Sequence, residues 1–402
     1  MRGERFRKDF PFFQEQETPP IYFDNGATTQ KPKTVIERIA RYYTFENANI
    51  HRGSYPLSSQ ALRMYDAARE TVKRFLDAET PEEIVFTKGS TEALNLVANG
   101  LCRSLESGDN VVVTELEHSS NYFPWKRGCQ RAGAELRVAR AETNGSLRTE
   151  SVTALINSRT KVVAVTGMSN VTGFRPDLKG IIRYAHQYGA LTLVDGAQAI
   201  VHESVSVRNL GCDFLVFSGH KLYGPMGTGV LYGKKTWLKK LPPFLVGGGM
   251  VELGEGGGLI YRNDSLKQEA GTQNIAGILG LEAAIRYLEE IGIEKIFQYE
   301  RELSEYLRLR LEAIEGIRID GNERVSPIIS FDLAGIGAYD LGILLGNLGI
   351  SVRSGAHCAY PLMRRMGKEN SCRISLACYN MVEEIDILAE QLERMAKRRH
   401  HL

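Results

Sequence analysis

A chain of 402 residues, 43% hydrophobic and 24% charged, has the composition of a soluble globular protein long enough for two domains with sizeable cores. Its formal net charge of +2 excludes the global basic field that nucleic acid or an anionic membrane would call for. No run approaches the roughly eighteen apolar residues of a membrane span, and residues 1–13 are charged without the apolar stretch of a secretion signal. Cys102, Cys129, Cys212, Cys358, Cys372 and Cys378 are too sparse and irregular for a disulfide scaffold and form no C-x-x-C pair, so neither a zinc site nor any other metal centre is expected. A reducing cytoplasm is the expected setting.

Residues 1–20 read as an arm that gains order by docking elsewhere, on the second domain. Residues 21–27 form a short strand running into an Asn-Gly turn. A helix follows with Pro32 in its first turn and Val35, Ile36, Ile39, Ala40 and Tyr43 on one face. Residues 47–59 are an irregular polar loop containing His51-Arg52-Gly53, of a kind that carries function more often than packing. A second helix is expected from about Ser58 to Phe75.

Strands and helices then alternate. Apolar runs at 83–87, 110–114, 161–165, 192–195 and 213–217 end respectively at Ser90-Thr91, His118, Asn170, Asp195 to Gln198, and Ser218-Gly219-His220-Lys221. That alternation predicts an α/β fold whose mostly parallel sheet is covered on both faces. The polar residues all fall at the carboxyl ends of strands, where open α/β sheets place their ligands. A glycine-rich, weakly structured run extends from 247 to about 266. From about Gly292 long amphipathic helices alternate with short strands, closing with a helix from 382 to about 398. The expected division is an arm (1–20), a large domain (21–290) and a smaller α+β domain (291–402).

Lys221, just past a buried strand, can lose solvation and act as nucleophile or base; the plainer alternative is a surface lysine in a tight turn. Ser90 and Thr91 at a helix start suit a phosphate, or a simple N-cap. Asp195 needs a partner if buried, such as a protonated ring nitrogen, or else it caps the next segment. His118 could stack on an aromatic ring or be a core histidine. Ser218 and His220 can hold an anion. Together these are the protein's contributions to pyridoxal phosphate chemistry.

The stretches Gly89-Ser90-Thr91-Glu92-Ala93-Leu94-Asn95, Val194-Asp195-Gly196-Ala197-Gln198, Ser218-Gly219-His220-Lys221 and Glu269-Ala270-Gly271-Thr272 occur in the order of the class V, fold-type-I pyridoxal-phosphate enzymes, which the chain resembles over nearly its whole length. The resemblance implies a large domain built on a seven-stranded, mostly parallel sheet. It implies Lys221 as the Schiff-base lysine and proton shuttle, Asp195 on the pyridinium nitrogen, Gln198 on the ring hydroxyl and His118 stacked on the ring. Ser90, Thr91, Ser218 and His220 would hold the phosphate, joined by Thr272 from the other subunit of a homodimer. Asn170 would lie near cofactor and substrate.

Residues 350–363 bear on the reaction. Cys358 sits in a Gly-containing loop beside His357, five residues after Arg353, and a positive neighbourhood would raise its thiolate fraction. The plainer alternative, a buried structural cysteine, suits the other five better. The segment resembles the Arg-x-Gly-His-His-Cys loop, followed by Pro-Leu-Met, of the SufS-like (group II) cysteine desulfurases. Arg373 matches that family's substrate-carboxylate arginine, and His51-Arg52-Gly53 a loop reaching the site from the partner subunit. The resemblance implies conversion of L-cysteine to L-alanine with sulfur passing to Cys358 as a persulfide. Iron-sulfur or other sulfur-containing cofactor assembly would receive it through an acceptor or scaffold protein. Ala356, Gln273 and Ser119 depart from the family pattern, and a selenocysteine lyase or a small-amino-acid aminotransferase shares most of the framework.

Overall fold

A computed structural model of the chain describes residues 2–51 and 53–398. The apolar runs become the middle of a seven-stranded sheet. Its order in space is Ile84–Thr87, Gly229–Gly233, Phe214–Ser218, Leu191–Asp195, Thr160–Thr166, Asn110–Thr114 and Glu135–Ala139. Only Gly229–Gly233 runs against its neighbours; the other pairings are parallel. The fold is α/β.

Both faces of this sheet are covered, which is why its central strands carry no polar alternation. Side chains still alternate between two cores. Leu215 and Phe217 pack with Ile278 and Ile285 of helix Ile275–Ile291, while Phe214 and Val216 pack with Leu94 and Val97 of helix Ser90–Cys102. The parallel strands share one carboxyl edge, so the segments after Thr87, Thr114, Thr166, Asp195 and Ser218 converge there.

A second sheet is four-stranded and antiparallel, in the order Ile317–Ile319, Ile328–Leu333, Ser371–Ser375 and Arg353–Gly355. Ile21–Tyr22 pairs in parallel with Ile350–Ser351, so the first strand of the chain joins the C-terminal region and not the large sheet. The opening residues dock on the same region. Phe10 and Phe13 lie 4.6 and 4.9 Å from the Tyr379 ring, and Arg7 pairs with Glu384 at 2.5 Å.

Three expectations change. Glu135–Ala139 and Gly229–Gly233 are strands that periodicity alone did not single out. The glycine-rich run contains an antiparallel hairpin, Val251–Leu253 with Leu259–Tyr261, on which Leu253 is 75% and Ile260 59% exposed. In helix Lys33–Arg41 Val35 is buried, whereas Ile36 is 48% exposed, as is Tyr43 just beyond at 63%; this chain closes only part of that face. Among the described residues no helix is long and apolar enough to cross a membrane.

Candidate active site

A cavity of about 260 Å³ opens at the carboxyl edge of the large sheet, walled on one side by the loop between the Arg353–Gly355 and Ser371–Ser375 strands. It brings together Ser90, Thr91, His118, Asn170, Asp195, Gln198, Ser218, His220, Lys221, Arg353, Cys358 and Arg373, from seven separate stretches of chain. His51 and Thr272 are not in it. Thr272 Oγ1 accepts from Asn49 Nδ2 at 3.3 Å, and the His51 ring stands 3.3 Å from where a Cβ on Gly249 would lie. Arg52, named with His51 in the sequence, lies outside the described residues.

One end of the cavity is a cup of hydroxyls and amides. The Ser90 N–H donates to Ser218 Oγ at 2.8 Å, the two serine hydroxyls lie 2.9 Å apart, and Thr91 Oγ1 lies 2.8 Å from Ser120 Oγ. The first turn of helix Ser90–Cys102 leaves backbone N–H groups without intrahelical partners here, the setting in which helix starts bind anions. Gly229 permits the closure: a Cβ there would stand 2.4 Å from Gly89 Cα.

Lys221 and Asp195 form the floor. Burial lowers the Lys221 amine to about 8, against the opposing pull of Asp195. About a quarter of that amine is unprotonated at pH 7.5, compared with about one part in a thousand for an ordinary lysine. Burial raises the Asp195 carboxyl. Its Oδ1 accepts from the Ala197 N–H at 3.0 Å, so the turn-capping alternative accounts for one of its oxygens. Gln198 Nε2 donates to the Gly26 carbonyl at 2.9 Å. His118 caps helix Ser119–Ala132, its Nδ1 accepting from the Ser120 N–H at 3.1 Å. Burial, reinforced by Lys221, holds both His118 and His220 down to about 4, so both rings are neutral near pH 7.

The opposite wall is the cysteine loop. His357 and Cys358 have φ of +51° and +54°, a left-handed pair of non-glycine residues costing roughly 1–2 kcal/mol each. The strain is held by contacts from the large sheet's side. Ser119 donates its N–H and its hydroxyl to the Cys358 carbonyl, both at 2.7 Å, and Asn170 Nδ2 donates to the His357 carbonyl at 2.7 Å. His357 Nε2 lies 3.1 Å from the Ser371 carbonyl oxygen and equally from its hydroxyl. Burial, with Arg373 and Arg353 nearby, pushes His357 down to about 3. It is therefore neutral and not a cationic neighbour for the thiol; Arg353 and Arg373 are the cations on this wall.

Four buried polar atoms on this cavity have no hydrogen-bond partner: Asn170 Oδ1, His220 Nδ1, His357 Nδ1 and Arg373 Nε. Unsatisfied buried groups cost about 1–3 kcal/mol each, so the cavity fits a ligand that brings several donors and acceptors. A phosphorylated pyridine aldehyde suits this donor set: an anion for the cup, a ring for the neutral imidazole, a ring nitrogen for Asp195 and a carbonyl carbon for Lys221.

The sequence matches the family model Aminotransferase class-V over residues 21–388. The chain belongs to the class-V aminotransferase family. A protein named cysteine desulfurase from Pectobacterium carotovorum subsp. carotovorum is 43% identical over 396 residues, 98% of this chain and 97% of that one. Two solved cysteine desulfurases superpose on it with a TM-score of 0.92 at 36% identity. The apo structure from Thermococcus onnurineus covers 98% of each chain, and the Escherichia coli structure 99% of each.

In this class-V chain several residues that sequence reasoning passed over support the site. The His220 carbonyl, one residue before Lys221, accepts from the Thr29 N–H (3.1 Å), Thr28 Oγ1 (3.1 Å), Thr29 Oγ1 (3.2 Å) and Lys31 Nζ (2.9 Å). Thr29 Oγ1 also accepts from the Tyr223 N–H at 3.0 Å, so one side chain grips the backbone on both sides of Lys221. Lys31 is pulled down to about 7 by burial. Its signal in the sequence is a lysine and two threonines packed into a turn with no apolar residue to bury. We expect Thr29→Val to lower kcat by about tenfold with little change in KM, and Thr29→Ser to restore it. Equal rates for Val and wild type would remove the grip. Glu117, fully buried and raised to about 8, accepts from Thr114, Asn121 and the Thr166 N–H beneath His118. Glu269 binds Arg69 twice at 2.8 Å, Tyr65 at 2.6 Å and the Phe86 N–H at 2.8 Å, anchoring the turn that carries Thr272 to the strand that leads into the cup.

Proposed function

We propose that this chain is a pyridoxal-phosphate-dependent cysteine desulfurase, which converts L-cysteine to L-alanine and takes the sulfur onto Cys358. The observation that carries the reading is that Cys358 and Lys221, 137 positions apart in the chain, line one cavity. Aminotransfer alone has no use for that thiol.

When bound, pyridoxal phosphate draws electrons from the α-carbon of an amino acid joined to it. Ser90, Thr91, Ser218 and His220 would hold its phosphate, with Asp195 available to the ring nitrogen, Gln198 to the ring hydroxyl and His118 to the ring. Arg373 and Arg353 hold the substrate carboxylate, with Asn170 beside it; a planar guanidinium suits that task. Lys221, its amine made available by burial, removes the α-proton. The Cys358 thiolate attacks the substrate sulfur. An S–S bond forms, the substrate Cβ–S bond breaks, and its electron pair stays on Cβ, which takes up a proton to become the methyl group, while Lys221 returns a proton to the α-carbon to complete alanine.

The protein works as a homodimer in this reading, with His51 and Thr272 of each protomer entering the other's site. Exposed Ile36, Tyr43, Phe45 at 74%, Leu253 and Ile260 support a second copy. An acceptor or scaffold protein then collects the persulfide for cofactor assembly. Residues 21–290 form the cofactor-binding domain, and residues 291–402 the domain that carries the cysteine loop.

Alanine formation from L-cysteine and from L-selenocysteine, with and without added thiol, tests the function. Equimolar alanine and sulfide from L-cysteine is the expected result; alanine from L-selenocysteine alone would assign a lyase. Proton linkage gives a second check. The Lys221 amine must be unprotonated to bond the cofactor, and its pKa is lowered to about 8 by burial. Covalent attachment of the cofactor to the stripped protein should therefore rise through about pH 8 and level off above it. A profile still climbing at pH 10 would mean an ordinary amine.

A further inference from the structure

Asp24 stands between the two arginines that face the cavity. Its Oδ1 accepts from Arg373 Nη2 at 3.2 Å, and its Oδ2 lies 3.6 Å from Arg353 Nη1. Arg373 is 2% exposed and gives Nη1 to the Asn170 carbonyl at 2.9 Å, and its Nε is a buried nitrogen without a hydrogen-bond partner. Asp24 itself does not line the cavity; the neighbouring Gly26 and Ala27 do. It cannot swing clear easily. Its backbone bridges to Ser375, and its carbonyl accepts from the Ala27 and Thr28 N–H groups at 3.1 and 3.3 Å.

Two guanidinium groups converging on one pocket have capacity for two carboxylates, since each presents a forked set of donors. Here the protein supplies one of those carboxylates itself. The remaining donors match a single anionic group, as an α-carboxylate is. Asp195 is the one acidic side chain among the described residues lining the cavity, and it lies at the floor beside Lys221. His118, His220 and His357 are neutral, so Asp24 is the acid that balances the arginine pair.

We propose that Asp24 is a positioning residue that determines specificity: by occupying the second anion position of the Arg353–Arg373 pair, it restricts the site to amino acids with one carboxylate. Such selectivity works by exclusion: a second acidic group meets the charge of Asp24, which already pairs with both guanidinium groups. The inference rests on the reading of both arginines as carboxylate-binding.

L-Aspartate and L-asparagine have nearly the same shape and differ by one charge. Their binding to the holoenzyme, followed by cofactor absorbance and by inhibition of L-cysteine turnover, reads the effect directly. The wild type should bind asparagine at least as tightly as aspartate. Asp24→Asn should shift the ratio toward aspartate by about tenfold, and Asp24→Glu, which keeps the charge, should return it. A general loss of order weakens both ligands together and leaves the ratio unmoved, so a ratio in Asp24→Asn within about twofold of wild type overturns the proposal. Aspartate binding tighter than asparagine in the wild type overturns it without any variant. Absent alanine release from L-cysteine by the wild type would instead remove the proposed function, an outcome distinct from an unchanged ratio in an enzyme that turns over.

Discussion

Cys358→Ser loses sulfur release from L-cysteine by on the order of a thousandfold or more, while the cofactor absorbance stays in place. The hydroxyl fits where the thiol was, and the loop is held through the Cys358 carbonyl, which the substitution leaves alone. What disappears is an atom able to form an S–S bond. No other cysteine can take over. Cys102, Cys129, Cys212, Cys372 and Cys378 are buried, and burial pushes the first four up to between about 11 and about 12 and Cys378 upward as well. Sulfide and alanine assayed together with the visible spectrum give the answer. Sulfide release that survives in the serine variant would assign sulfur transfer to another group.

Lys221→Ala is the larger loss. It removes both the cofactor's attachment point and the base for the α-proton, so turnover should fall by more than about 10⁴-fold. The cup, Asp195 and His118 are untouched, so the variant should still take up pyridoxal phosphate without bonding it. Two readouts separate that from a folding defect: the absorbance moves to that of the free aldehyde, and borohydride no longer fixes cofactor to protein. A variant that still became covalently labelled would mean that another amine, for which the half-neutralised Lys31 is the nearest candidate, does the bonding.

The part of this architecture legible in the sequence is the part whose physics is local. Apolar runs such as 110–114 and 213–217 announce buried parallel strands, and polar residues at their ends must meet because such strands share an edge. Lys221, Asp195 and Cys358 were legible for that reason and through ordered motifs. The arrangement around them was not. Asp24 reads as a turn residue, and only the fold places it between Arg353 and Arg373. Thr29 and Lys31 act on a carbonyl some 190 positions away, a contact without any sequence period. Glu117, one residue before His118, is fully buried, which no local pattern announces. His357 illustrates the reverse error: a histidine beside a cysteine suggests an activating cation, but burial beside two arginines keeps it neutral. The hairpin at 251–261 was hidden by its glycines, which obscure the alternation of its two three-residue strands.

The double hydrogen bond from Ser119 to the Cys358 carbonyl sets how far the sulfur can travel. With its backbone stapled to the start of a helix on the large sheet, the cysteine moves its sulfur only by rotating about its own side-chain bond, an arc of a few ångströms. A sulfur loaded in the cavity is therefore presented at the mouth and carried no farther. On the function proposed above, delivery would be a matter of who arrives: an acceptor would have to bring its own acceptor atom to that opening.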